Sequence, residues 1–144
     1  MRVGPTLDKL LADYPKDLRI VFKMHPLPMH PNAMPAAQAA MAANAQGKFL
    51  AMHEKLLVAS SSGGLSRDKY IQFATELGLD VKKFTSDIDT LAYKKSIDTM
   101  TDEAMKVGAT GTPANFINGR FVNGAAPYES FKPIIDEELA KAKK

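Results

Sequence analysis

The chain has 144 residues, 45% of them hydrophobic and 24% charged, with a formal net charge of +3 and no cysteine. This length and composition suit one globular domain, the missing cysteines exclude disulfide bonds and zinc–thiolate sites, and no apolar run is long enough to predict a membrane span. Basic and acidic residues are interspersed outside the tail (Lys141, Lys143 and Lys144), so we expect no nucleic-acid partner, and the first residues do not resemble a signal peptide.

The first part of the chain predicts a helix, a strand and an irregular segment. Leucines at helical spacing predict a helix over residues 6–14, which Pro15 ends. Residues 18–24 (LRIVFKM) are rich in β-branched and aromatic side chains, so we expect a short buried strand. Three prolines within residues 25–31 make regular structure there unfavourable.

The middle of the chain has the periodicity of helices. Apolar residues recur every three or four positions, and cap residues or glycines separate the segments. Helices are expected at residues 33–46, 48–58, 66–77, from Asp80 onward, and at 91–107. These segments predict an all-helical insertion at about residues 32–107.

The last part changes to the alternating pattern of strands. Residues 114–117 and 120–122 flank Asn118-Gly119, a dipeptide typical of two-residue β-hairpins. Pro127 begins a terminal helix, whose expected inward-facing side chains are Phe131, Ile134, Ile135 and Leu139. The order of elements indicates a single α/β domain over residues 1–144, with a mixed sheet in a three-layer arrangement.

Several stretches resemble DsbA-like proteins, which have a thioredoxin fold with an all-helical insertion. They are residues 22–31, 46–49, Met52-His53, 78–80, and most specifically 107–113 (VGATGTP), followed by 116–120 and Gly124. The resemblance covers essentially the whole chain. It implies a thioredoxin-like α/β fold and a thiol–disulfide oxidoreductase parent of a family that is typically exported.

The resemblance breaks off at the front of the chain. In the family an initial strand leads into Cys-X-X-Cys, and residues 2–7 resemble the segment directly after that motif. We therefore expect a fold truncated at its N-terminus, either because the protein starts at Met1 or because a longer reading frame was shortened. In the family the missing strand lies between the strands that match residues 18–24 and 114–117. The sequence thus predicts orphaned sheet edges and a homodimer or higher homo-oligomer formed through them, or by exchange of the first helix.

The resemblance places a substrate-binding site at Thr112 and Pro113, which match the family's cis-proline loop. The main chain of that loop pairs with an unfolded or extended polypeptide, and such pairing needs no cysteine. Disulfide exchange does need a thiolate. We therefore expect no catalytic residue, no cofactor and no exchange activity in this chain.

Two alternatives stand beside an inactive oxidoreductase. The first is a non-catalytic peptide-binding or assembly module that retains the groove. The second is a copper-binding protein, because residues 24–34 contain three methionines and two histidines, which suit copper. Methionine also fills irregular gaps in protein cores, which favours a structural role for this segment.

Overall fold

The computed structural model describes residues 3–142, so Met1, Arg2 and the predicted basic tail residues Lys143 and Lys144 lie outside the described part. The helices are α1 (Gly4–Asp13), α2 (Ala33–Asn44), α3 (Phe49–Ser61), α4 (Arg67–Glu76), α5 (Val81–Asp89), α6 (Lys94–Lys106) and α7 (Tyr128–Ala142). The strands are β1 (Ala114–Ile117) and β2 (Arg120–Asn123). No helix within residues 3–142 combines the length and apolar character that crossing a bilayer requires.

The chain divides into two compact units. The helical unit comprises Lys23–Val107, and the hairpin unit comprises Met1–Phe22 with Gly108–Lys144. The helical unit begins at Lys23, nine residues before the start of the insertion expected at about residues 32–107. The irregular proline-rich segment is therefore part of the helical unit.

The helical unit packs around the alanine-rich helix α2. Alanine side chains let neighbouring helices approach closely, and four alanines of α2 have an exposure of 2% or less. Met52 of α3 and Phe84 of α5 are fully enclosed in the same core. Two helix starts are capped, because the Ser66 and Asp80 side chains accept hydrogen bonds from the main-chain N–H groups of Lys69 and Lys83. Asn32 precedes α2, but its side chain makes no capping hydrogen bond.

Two glutamine side chains connect elements of the helical unit. Gln38 is 1% exposed, and its Oε1 accepts a hydrogen bond from the Tyr93 N–H at 3.1 Å. Gln46 Oε1 accepts from the Asp80 N–H at 2.8 Å, while its Nε2 donates to the Asp80 carbonyl at 3.3 Å. These bonds satisfy polar groups that would otherwise oppose helix packing.

In the hairpin unit, β1 and β2 pair antiparallel and pack on α7. The register pairs Ala114 with Asn123 and Ile117 with Arg120, and α1 packs on α7. The core consists of Val3, Leu10, Val122, Phe131 and Ile135, with Ile134 and Leu139 packed against it as the sequence predicts.

The predicted strand over residues 18–24 is absent. Burial still alternates there, since Leu18 and Ile20 are half-buried while Arg19 and Val21 are exposed. An alternating apolar pattern identifies the side chains that face a core. A strand also needs an adjacent strand with which its main-chain N–H and carbonyl groups form hydrogen bonds. Neither β1 nor β2 pairs with this segment, so the described sheet has two antiparallel strands instead of the expected larger mixed sheet.

Candidate functional site

The candidate site is the loop of residues 108–113, which leads directly into β1. Gly108 has a φ of +78°, a left-handed conformation that favours glycine, and it follows the end of α6. Ala109 is 4% exposed and anchors the loop, whereas Thr110, Gly111 and Thr112 are exposed. The loop thus exposes uncharged main-chain groups next to the buried Ala109.

Thr112 and Pro113, the predicted substrate-binding residues, lie together at the end of this loop. The peptide bond between them is cis, and Pro113 is half-buried. Within residues 3–142 no main-chain hydrogen bond reaches the N–H or carbonyl of Thr112. These groups are therefore available to an extended chain passing the loop.

The hairpin after this loop has an exposed aromatic face. Phe116 and Phe121 lie opposite each other in the register, with ring centroids 5.0 Å apart. Their side chains are 42% and 48% exposed. The turn between the strands has positive φ at both Asn118 and Gly119, as a two-residue hairpin requires. The aromatic pair is therefore held in place by the turn geometry.

Polar side chains hold the other face of the hairpin in position. Asn115 Nδ2 donates to the carbonyls of Val122 and Gly124, at 3.2 and 2.9 Å. Arg120 Nη1 donates to Glu137 of α7 at 2.5 Å and lies 3.4 Å from Glu138. The hydrogen bond to Glu137 is the main reason that the pKa of Arg120 is raised. The strand that carries the site is thus fixed to α7.

The three histidines of the chain have different surroundings in the structure. His25 is half-buried and its ring nitrogens have no hydrogen-bond partner within residues 3–142. His30 and Met29 are exposed. His53 stacks on Phe49, and burial lowers the pKa of its imidazole. No three His, Asp or Glu side chains in residues 3–142 lie close enough together to hold a metal ion.

The structure shows two features that the sequence analysis did not single out. One is an open cleft of about 840 Å³ between α3 and α4, where the ammonium groups of Lys55 and Lys69 lie 5.3 Å from the Phe73 ring centroid. The other is the exposed Phe116–Phe121 pair. The Phe116–Phe121 pair could have been predicted from the sequence, because the Asn118-Gly119 turn fixes the register that places both rings opposite each other.

Comparison with known families identifies the family to which the chain belongs. The sequence model of the DSBA-like thioredoxin domain matches residues 5–136, which is most of the chain. The chain belongs to the DSBA-like thioredoxin domain family. The DsbA-like assignment made from residues 107–113 and the other motifs is therefore confirmed, together with the thioredoxin-like fold class.

The DsbA-like chain is also similar to parts of much longer proteins. It is 36% identical over 129 residues to the Na(+)/H(+) antiporter NhaA of Herminiimonas arsenicoxydans, covering 90% of the chain and 20% of the antiporter. It is 32% identical over 137 residues to Na(+)/H(+) antiporter NhaA 1 of Salinispora arenicola, and the alignment covers 94% of the chain and 21% of that antiporter. The chain spans about a fifth of the length of these curated relatives.

The residues of this chain alone cannot carry out disulfide exchange, the reaction of the family. Disulfide exchange proceeds through a mixed disulfide formed by an attacking thiolate, and the 144 residues contain no cysteine. The site does offer an exposed loop main chain at Thr112, followed by a strand with exposed aromatic side chains. Exposed main-chain N–H and carbonyl groups of this kind are able to pair with an extended peptide.

Proposed function

We propose that this DsbA-like domain binds unfolded or extended polypeptide at the Thr112–Pro113 loop and exchanges no disulfide with it. The observation that carries the proposal is the combination of the family match with a chain that has no thiol. Main-chain pairing at a loop uses N–H and carbonyl groups, so the binding half of the family function does not depend on sulfur.

The loop has the properties that such binding requires. Thr112 is exposed and its main-chain groups have no partner among residues 3–142. Residues 107–119 carry no charged side chain, so sequence-independent contacts dominate there. The exposed Phe116 side chain adds an apolar surface beside the loop. The proposed ligand is therefore an uncharged, extended segment with apolar side chains.

A steric block of the loop tests this proposal. A Cβ added at Gly111 meets no atom within 4 Å, so Gly111→Trp is expected to fold while placing a large side chain beside Thr112. We expect this variant to raise the dissociation constant for a reduced and alkylated unfolded protein at least about tenfold. A change of that size corresponds to the loss of one or two hydrogen bonds. Fluorescence anisotropy of the labelled unfolded protein measures the affinity.

The matched control is Ala125→Trp, which adds the same side chain at another exposed loop position of the hairpin unit. It is expected to bind like the unaltered chain. Insulin reduction by the unaltered chain is expected to stay at the rate of buffer alone. Equal affinities for both tryptophan variants, or reduction well above the buffer rate, would contradict the proposal.

We propose as a second candidate that the domain works beside a sodium–proton antiporter. The observation that favours it is the alignment of nearly the whole chain with about a fifth of each antiporter relative. A DsbA-like domain associated with a transporter would bind extended segments of that transporter, as the first proposal describes for polypeptides in general.

A chimera tests the second candidate. In the Herminiimonas arsenicoxydans antiporter, the region that aligns with this chain is either deleted or replaced by residues 1–144. We expect the deletion to lower the amount of folded antiporter or its sodium-dependent proton flux in everted vesicles, and the replacement to restore it. A deletion without effect on either quantity would remove this candidate.

A further inference from the structure

The proline just before β1 leaves one carbonyl of the hairpin without a main-chain donor opposite it. In a two-residue hairpin the pair that flanks the turn exchanges hydrogen bonds, and every second pair after it does so as well. Continuing the register by one residue beyond β1 and β2 makes Pro113 and Gly124 a pair of this kind. Proline has no main-chain N–H. The Gly124 carbonyl therefore needs a donor from elsewhere.

The side chain of Asn115 supplies that donor. Its Nδ2 donates to the Gly124 carbonyl at 2.9 Å and to the Val122 carbonyl at 3.2 Å. The nitrogen of a side-chain amide carries two hydrogens, so one asparagine is able to make both bonds. Asn115 and Gly124 are both half-buried, and a carbonyl in such surroundings disfavours the folded arrangement when it has no donor. Asn115 thus takes the place of the N–H that Pro113 lacks.

These two bonds act directly beside the candidate site. Asn115 lies two residues after Pro113, on the strand that continues from the loop of residues 108–113. Its bonds hold the start of β1 to the bend that ends β2, where Gly124 has a φ of +71°. Thr112 takes part in no main-chain hydrogen bond within residues 3–142. The position of this end of the loop relative to the hairpin therefore depends on Asn115.

We propose that Asn115 is a positioning residue for the polypeptide-binding loop, which its side-chain amide holds in the conformation that binds. This inference rests on the proposed binding of polypeptide at Thr112 and Pro113. A loop that is already held in its binding conformation loses less conformational freedom when an extended chain pairs with it, and this raises the affinity. Asn115 acts through the loop and not by contact with the polypeptide, because its amide nitrogen is bonded to two carbonyls of its own hairpin.

Hydrogen exchange of side-chain amides tests the two bonds without any substitution. Asn123 is the matched reference, because it lies in the same hairpin, is exposed, and makes no side-chain hydrogen bond within residues 3–142. We expect the side-chain amide hydrogens of Asn115 to exchange with solvent at least about tenfold more slowly than those of Asn123. Equal exchange rates would overturn the proposal, even if every substitution of Asn115 prevents folding.

Three substitutions connect the bonds to binding. Asn115→Leu removes both donors at similar size, Asn115→Gln retains an amide, and Asn123→Leu makes the same change where no bond is lost. We expect Asn115→Leu to raise the dissociation constant for a reduced and alkylated unfolded protein about tenfold, Asn115→Gln to recover part of the affinity, and Asn123→Leu to bind like the unaltered chain. Affinities are compared at a temperature at which circular dichroism shows every variant folded, so a loss of stability alone would leave the dissociation constant unchanged.

Backbone order parameters from nuclear magnetic relaxation need no ligand, so they separate this inference from the polypeptide-binding proposal. Those of Thr112 and Gly124 should fall in Asn115→Leu, while those of α7 stay the same. Unchanged order parameters, or an Asn115→Gln variant that binds as weakly as Asn115→Leu, would overturn the role of Asn115. Absence of binding by the unaltered chain contradicts the binding proposal, whereas binding that Asn115→Leu leaves unchanged contradicts the role of Asn115 alone.

Discussion

Single side chains connect α1 to α7 through two matching polar networks. The Tyr14 hydroxyl donates to Asp136 at 2.5 Å, and Lys132 binds the same carboxylate at 2.6 Å. In the reverse direction, the Tyr128 hydroxyl donates to Asp13 at 2.5 Å, and Lys9 binds it at 3.0 Å. The pKa of each carboxyl is lowered, for Asp136 mainly by Lys132 and for Asp13 mainly by Tyr128.

The networks predict a pH-dependent contribution to stability. A carboxyl whose pKa is lower in the folded state stabilises the fold above its unfolded pKa of about 3.9, and this contribution is lost as the pH falls through the folded value. The hydrogen bonds to Asp136 and Asp13 raise the pKa of Tyr14 and Tyr128. The tyrosine contribution is therefore complete below a pH of about 10 and is lost as the pH rises through the folded value.

Removal of both hydroxyls, Tyr14→Phe with Tyr128→Phe, should therefore lower stability modestly between pH 5 and 9. The difference from the unaltered chain should shrink in strong acid and in strong base, and urea unfolding at each pH measures it. Tyr70→Phe is the control in acid, because its hydroxyl takes no part in either network; in base its own effect is expected, since burial raises the pKa of Tyr70. A difference that is the same at every pH would contradict the assignment.

At the scale of elements, the strand β1 continues directly from the loop that carries the proposed polypeptide-binding site. An extended polypeptide bound at Thr112 that continues along β1 would meet the exposed Phe116 side chain.

The sequence predicted the elements whose signals are local. Asn118-Gly119 placed the hairpin, Ser66 and Asp80 marked helix starts, and the apolar spacing of α7 identified the residues that face its core. Residues 18–24 were wrongly predicted as a strand, because strand formation depends on a neighbour distant in sequence. The site at Thr112 and Pro113 was predicted from the family resemblance, because threonine and proline side chains do not by themselves indicate a binding site.

At the scale of the whole molecule, the chain matches the DSBA-like family over residues 5–136, and its 144 residues contain no cysteine. The polypeptide-binding proposal therefore relies on main-chain and apolar contacts. The loop before β1 presents the exposed, uncharged main-chain groups on which that proposal depends.

The most direct test is an amide chemical-shift map of the chain during titration with a cysteine-free unfolded polypeptide. The account predicts shifts concentrated at Thr110, Gly111, Thr112, Ala114 and Phe116, with amides of α3 to α5 unchanged. Gly111→Trp should abolish those shifts. Saturating binding that leaves these amides unperturbed, or no binding at any accessible concentration, would contradict the account.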